Sequence, residues 1–190
     1  MRVCRERIAT FAAMTSNLPT TTSEITAEWM TDALRGSGTI VPDTSVASVA
    51  LYTGAAGVGF LGEVGKLGVV YEGAATDAPT SMIAKFPTAS PEVRAMMHPT
   101  RIYEREHRFY AELAPKSSLR TPAVYHVTCV TAEAPEDERY MLLMEDLSSL
   151  TLGDQLAGLS VEQTEHALVA LAGHHAAFWG GAGLEDADFV

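Results

Sequence analysis

The 190-residue sequence predicts an α+β fold, and three observations carry that expectation. Five short runs are rich in β-branched and apolar residues and are bounded by glycine, proline or acidic segments, as strands are. A glycine-rich turn joins the first two runs, which suggests an antiparallel sheet. One helical stretch stands between the third and fourth runs, and helices return only after the fifth. With 47% hydrophobic and 19% charged residues, the chain has the makings of a packed domain, not of a disordered one.

Residues 1–22 read as a disordered tail, with a charged start, a short apolar stretch at 8–14 and a Thr/Ser-rich segment that opens at Met14, an alternative start. The apolar stretch is short for a signal peptide, and no run approaches the roughly 20 apolar residues of a membrane span. Thr22, Ser23 and Thr26 offer caps for a first helix whose apolar side carries Trp29, Met30, Ala33 and Leu34, and Gly36-Ser37-Gly38 ends it. Strands follow at 45–53 and 63–71, with the turn at 54–62 between them, and a third strand lies at 80–86. Residues 91–114 are helical, with Pro99 as an interruption. Two further strands, 123–131 and 140–144, flank an acidic loop at 133–138. A short helix is expected at 151–159, and Ser160-Val161-Glu162-Gln163 opens a long helix to about Trp179.

The formal net charge of −11 leaves no basic patch for nucleic acid. Cys4 and Cys129 make a disulfide framework unlike this chain, and no Cys/His spacing fits zinc. A cytoplasmic location follows from the lack of other signals.

The chemistry concentrates in the middle of the chain. Gly57-x-Gly59-x-x-Gly62 also marks dinucleotide-binding folds, but there it links a strand to a helix. Here a strand follows, which excludes a dinucleotide-dependent oxidoreductase and leaves either a flexible hairpin or a phosphate-gripping loop. Lys85 sits in the apolar strand Met82-Ile83-Ala84-Lys85-Phe86. It is either an edge lysine that snorkels to water or a paired cation facing phosphates. Its partner can be sought by periodicity. Ile102, Phe109 and Leu113 share one helical face, Glu106 projects into it, and Glu104 and Glu112 do not. A carboxylate on an apolar stripe asks for a cation, so Glu106 pairs with Lys85 in preference to its neighbours Arg105 and Arg108. Met141-Leu142-Leu143-Met144-Glu145-Asp146-Leu147 is an apolar strand that ends in two acids, either a solvated strand end or a hinge between lobes.

Five blocks together resemble a known family: Gly-x-Gly-Phe-x-Gly-Glu-Val, Ile-Ala-Lys-Phe-Pro, Tyr-Glu-Arg-Glu-x-Arg-Phe-Tyr-x-Glu-Leu-Ala-Pro, Leu-Leu-Met-Glu-Asp-Leu and Leu-Ala-x-x-His-Ala-Ala-Phe-Trp-Gly. They are similar to the aminoglycoside-phosphotransferase and choline-kinase-like group, and most of all to its ecdysteroid-kinase-like branch, over about residues 25–180. The resemblance implies a protein-kinase-like N-terminal lobe, five antiparallel strands plus one helix, over residues 23–147. Residues 148–190 would then begin an incomplete helical C-terminal lobe. It also implies that Gly57, Gly59, Gly62 and Lys85 bind the phosphates of ATP, that Glu106 pairs with Lys85, and that Glu145, Asp146 and Leu147 form the adenine hinge.

The sequence departs from the group in one respect. His-Gly-Asp-x-x-x-x-Asn is absent, so no catalytic residue is assigned, and the Mg²⁺ ligands are expected downstream of Val190. His175 shares a face with Leu168, Leu171 and Trp179 and reads as a packed histidine, while Asp188-Phe189-Val190 lies too close to the last helix for a metal-binding loop. The expected function is ATP-dependent phosphoryl transfer to a small-molecule hydroxyl, with only the nucleotide grip present and no turnover by these residues alone. The alternative is a non-catalytic nucleotide- or protein-binding module. In either case the stripe on the last helix calls for a second lobe or a partner to cover it.

Overall fold

The computed structural model describes residues 18–52, 57–59, 61–74, 77–154, 156–185 and 187–190. Cys4, Met14 and the rest of residues 1–17 lie outside them, as do 53–56 and 60 of the glycine segment. The five expected strands are β1 (Thr44–Leu51), β3 (Gly62–Gly73), β4 (Ser81–Pro87), β5 (Val124–Val130) and β6 (Arg139–Glu145). They form an antiparallel sheet in the order β1-β3-β4-β6-β5. One strand was not expected. Gly57–Gly59, read as turn, is β2 and pairs back on β3, with Gly59 opposite Gly62.

Alternation gives the sheet two unlike faces. On the upper face Leu67, Val69, Met82, Ala84, Phe86, Met141 and Leu143 are buried against α1 (Ala27–Gly36), which contributes Trp29, Met30, Ala33 and Leu34. Thr26 caps α1 by accepting from the Trp29 amide at 3.1 Å. Thr31 then fixes the helix to β1 through a 2.9 Å bond from the Val46 amide. Met30 and Leu34 are fully enclosed, each contributing about 2 kcal/mol. Thr22, assigned to the tail from sequence, is instead buried beside β3.

The helical stretch after β4 is more broken than expected. It comprises α2 (Pro91–Met97), a 3-10 turn at His98–Thr100 holding Pro99, α3 (Ile102–Arg108) and a π turn at Phe109–Leu113. Arg101, at φ 53°, turns the chain between the two α segments.

Among the described residues of 151–159 the expected short helix does not form. Asp154 Oδ1 accepts from the amides of Leu156 and Ala157, and the Gly158 amide closes a single turn on the Asp154 carbonyl. Gly158 then leaves the helical region at φ 74°. The capping box at Ser160 and Gln163 does form and opens α4 (Val161–Ala177). None of α4's residues is buried. Among the described residues no helix is long and apolar enough to cross a membrane.

Candidate functional site

The lower face of the sheet is built by register. Lys85 of β4 stands opposite Val64 of β3 and Leu142 of β6, and Ile83 stands opposite Lys66 and Met144. Cross-strand partners project to the same side, so Val64, Lys66, Ile83, Lys85, Leu142 and Met144 share this face. Leu142 and Met144 are buried, while the other four are partly open. The face is therefore an apolar strip with one lysine near each end.

At one end Lys85 forms an ion pair with Glu106 of α3, the partner expected for it. Their side chains are 33% and 36% exposed, so the pair is not buried as the sequence reading required. An ion pair this open contributes at most about 1 kcal/mol, and its effect is to aim the ammonium. The buried acid of α3 is Glu104, at 6% exposure, held between Arg101 and Arg108. Burial alone would raise its pKa, but the two guanidiniums outweigh burial and hold it below the usual carboxylate range.

The misphasing has a physical cause. The π turn at 109–113 breaks the 3.6-residue period, so a face extrapolated from Ile102 to Leu113 is not one face. Ile102 is exposed, and α3 presents Tyr103, Glu104 and His107 inward.

The glycine hairpin is anchored above and below. The Leu61 carbonyl accepts from the Thr88 amide at 3.1 Å and from Tyr103 Oη at 2.7 Å. Glu63 accepts from both the amide and the hydroxyl of Thr22. A side chain at Gly62 would run into the Phe86 carbonyl, so glycine is required where β3 begins. α3 thus touches both the hairpin, through Tyr103, and Lys85, through Glu106. Tyr103 also accepts, on its carbonyl, a 2.6 Å bond from His107 Nδ1.

At the other end lie Glu145, Asp146 and Leu147. The Glu145 amide donates to the Ala123 carbonyl at 2.8 Å, and its carboxylate accepts from the Ala123 amide at 3.0 Å. Asp146 Oδ2 takes the Lys66 ammonium at 2.7 Å and Ser81 Oγ at 2.5 Å, and Oδ1 takes the Ser148 amide at 2.9 Å. Burial opposes ionisation of Asp146, but these donors hold it well below the usual carboxylate range. Both acid side chains are therefore used within the chain, and the turn closes with the Leu150 amide on the Leu147 carbonyl.

Sequence reasoning missed Lys66, Tyr103 and Thr22. Only Lys66 left a signal: it has the same strand parity as Val64. Of the paired histidines, His174 is the packed one, bonded to Ser117 Oγ at 2.8 Å and set against Phe178, whereas His175, read as packed, is exposed. Asp188 and Phe189 rest on α3, with the Arg108 guanidinium 4.0 Å over the Phe189 ring. Cys129 is a free thiol whose pKa burial pushes up to about 12. Among the described residues no group of three His, Cys, Asp or Glu side chains is placed to hold a metal.

An antiparallel sheet with a glycine hairpin, a lysine paired to the following helix and a last strand running into a turn is the arrangement of a protein-kinase-like small lobe. The chain belongs to the ecdysteroid kinase-like family, whose model matches residues 56–179, from the glycine hairpin to the end of the helical segment. No curated protein and no solved structure matches it.

Proposed function

We propose that the lower face of the sheet binds ATP for phosphoryl transfer to a small-molecule hydroxyl. The observation that carries this reading is the Lys85–Glu106 pair. One acceptor orients the ammonium while a third of the side chain stays open, beside a hairpin whose first β3 residue tolerates no side chain. Residues present here fit a nucleotide. Val64 and Ile83 offer apolar contact to a base, the backbone of residues 145–147 offers polar groups to its edge, and Lys85 offers donors to phosphate oxygens. The glycine hairpin leaves the backbone close to those oxygens. ATP, when bound, supplies the phosphoryl group.

Glu106 keeps Lys85 aimed, and Tyr103 keeps the hairpin at a fixed height above it. These residues lack the His-Gly-Asp loop, so the 190-residue protein is expected to bind ATP without transferring its phosphoryl group. Calorimetric titration with ATP, and with inorganic tripolyphosphate as a base-free competitor, tests the binding. Saturable binding of both supports the reading, and failure of folded protein to bind either defeats it.

One observation favours the module reading. Leu168 and Trp179 on the last helical segment are 58% and 82% exposed, a face suited to a second lobe or a protein partner. ATP turnover with any acceptor by this chain would decide against that reading.

A further inference from the structure

Resting on the nucleotide reading, we propose that Lys66 is a positioning residue for the base end of the site, one that locks the hinge turn and so determines which nucleobase is accepted. Lys66 shares the lower face with Lys85 but not its situation. Its ammonium is held by Asp146 Oδ2 at 2.7 Å and by Ser148 Oγ at 2.8 Å, and it lies 5.7 Å from the centre of the Tyr52 ring. Those contacts occupy an ammonium that has three hydrogens, so Lys66 has little left to offer a phosphate. Among the described residues Lys85 has one acceptor, Glu106.

What Lys66 holds is the hinge. The Asp146 carboxylate joins three pieces of chain: β3 through Lys66, the start of β4 through Ser81, and the turn through the Ser148 amide. Tyr52 closes the outer side. Its ring lies against Gly68, where a side chain would meet ring atoms at 3.0 Å, and its amide donates to the Lys66 carbonyl at 2.9 Å. The backbone of residues 145–147 is thereby fixed relative to the strip of Val64 and Ile83.

Adenine and guanine present opposite donor and acceptor patterns on the edge that a backbone turn would read. Discrimination then comes from leaving the wrong base's polar groups unpaired, which requires a turn that cannot shift to suit it. Release of Lys66 frees the turn at the base end and leaves Lys85, two residues further along the strip, in place.

The experiment is an equilibrium competition of ATP, GTP and tripolyphosphate on the wild-type chain and on Lys66→Met, Lys66→Arg and Asp146→Asn. Circular dichroism confirms folding, and Ser148→Ala, at an exposed residue, serves if the others do not fold. The ATP-to-GTP affinity ratio should fall at least about fivefold in Lys66→Met and Asp146→Asn, stay near wild type in Lys66→Arg, and fall less in Ser148→Ala. Tripolyphosphate affinity should stay within about twofold throughout. An unchanged ratio in folded variants, or a wild-type ratio of one, overturns the inference and leaves the nucleotide reading standing. A wild-type chain that binds none of the three probes overturns both.

Discussion

Two lysines stand on one sheet face, about two residues apart along the strands, and they are bound in opposite ways. Lys66 is occupied by a buried carboxylate, a hydroxyl and an aromatic ring beside the turn at 145–147. Lys85 is aimed, among the described residues, by a single carboxylate that is itself a third exposed. Strand parity is the same for both, so position on the sheet does not separate their roles. The number of partners does: a saturated ammonium fastens pieces of chain together, while an aimed but unsaturated one is left with donors for a ligand.

The largest expected effect that tests this contrast is on stability at the Lys66 end. Asp146→Asn leaves Lys66 without its counter-charge and weakens three contacts, and should cost about 2 kcal/mol in urea unfolding. A variant as stable as wild type would place Asp146 outside the fold's framework.

Acid should act first at groups away from the Lys66 contact. Burial pushes His107 on α3 and His126 on β5 down to about 4, so both are neutral in the fold, while in the unfolded chain they take up protons near 6.5. Their contribution is full above that value and is lost as pH falls toward 4, at up to about 1.4 kcal/mol per pH unit for each histidine. Asp146 stays ionised across this range, so the Lys66 contact should persist. Thermal melts between about pH 7 and pH 5 check this; a flat midpoint contradicts it.

Smaller effects separate the ties of α3. Tyr103→Phe removes one of two bonds to the Leu61 carbonyl and should cost about 1 kcal/mol, since the Thr88 amide still satisfies it. Glu106→Gln should cost less than about 1 kcal/mol, because the pair it breaks is open to water. If Glu106→Gln were to destabilise the chain more than Asp146→Asn, the contrast between the two ends would be reversed.

What the sequence made legible was local. β-branched alternation located the five strands, Ser160 and Gln163 announced a capping box that forms, and the strand after Gly62 separated this hairpin from a dinucleotide turn. The choice of Glu106 for Lys85 was right in its partner and wrong in its reason. The left-handed Arg101 and the π turn at 109–113 reset the helical phase, and neither has a reliable signature in the residues themselves. Residues 151–159 carry helix formers, yet Asp154 caps the chain into a single turn before Gly158. Lys66 and Asp146 are eighty positions apart, and only the registers of β3 with β4 and of β4 with β6 bring them together.

We propose that of these two lysines it is Lys85, and not Lys66, that meets a phosphate. Calorimetric titration of ATP into folded Lys85→Met protein, beside wild type, tests it most directly. We expect an unchanged melting temperature to within a few degrees and at least about a tenfold loss of ATP affinity, or about 1.4 kcal/mol. Wild-type affinity in folded Lys85→Met protein would contradict it.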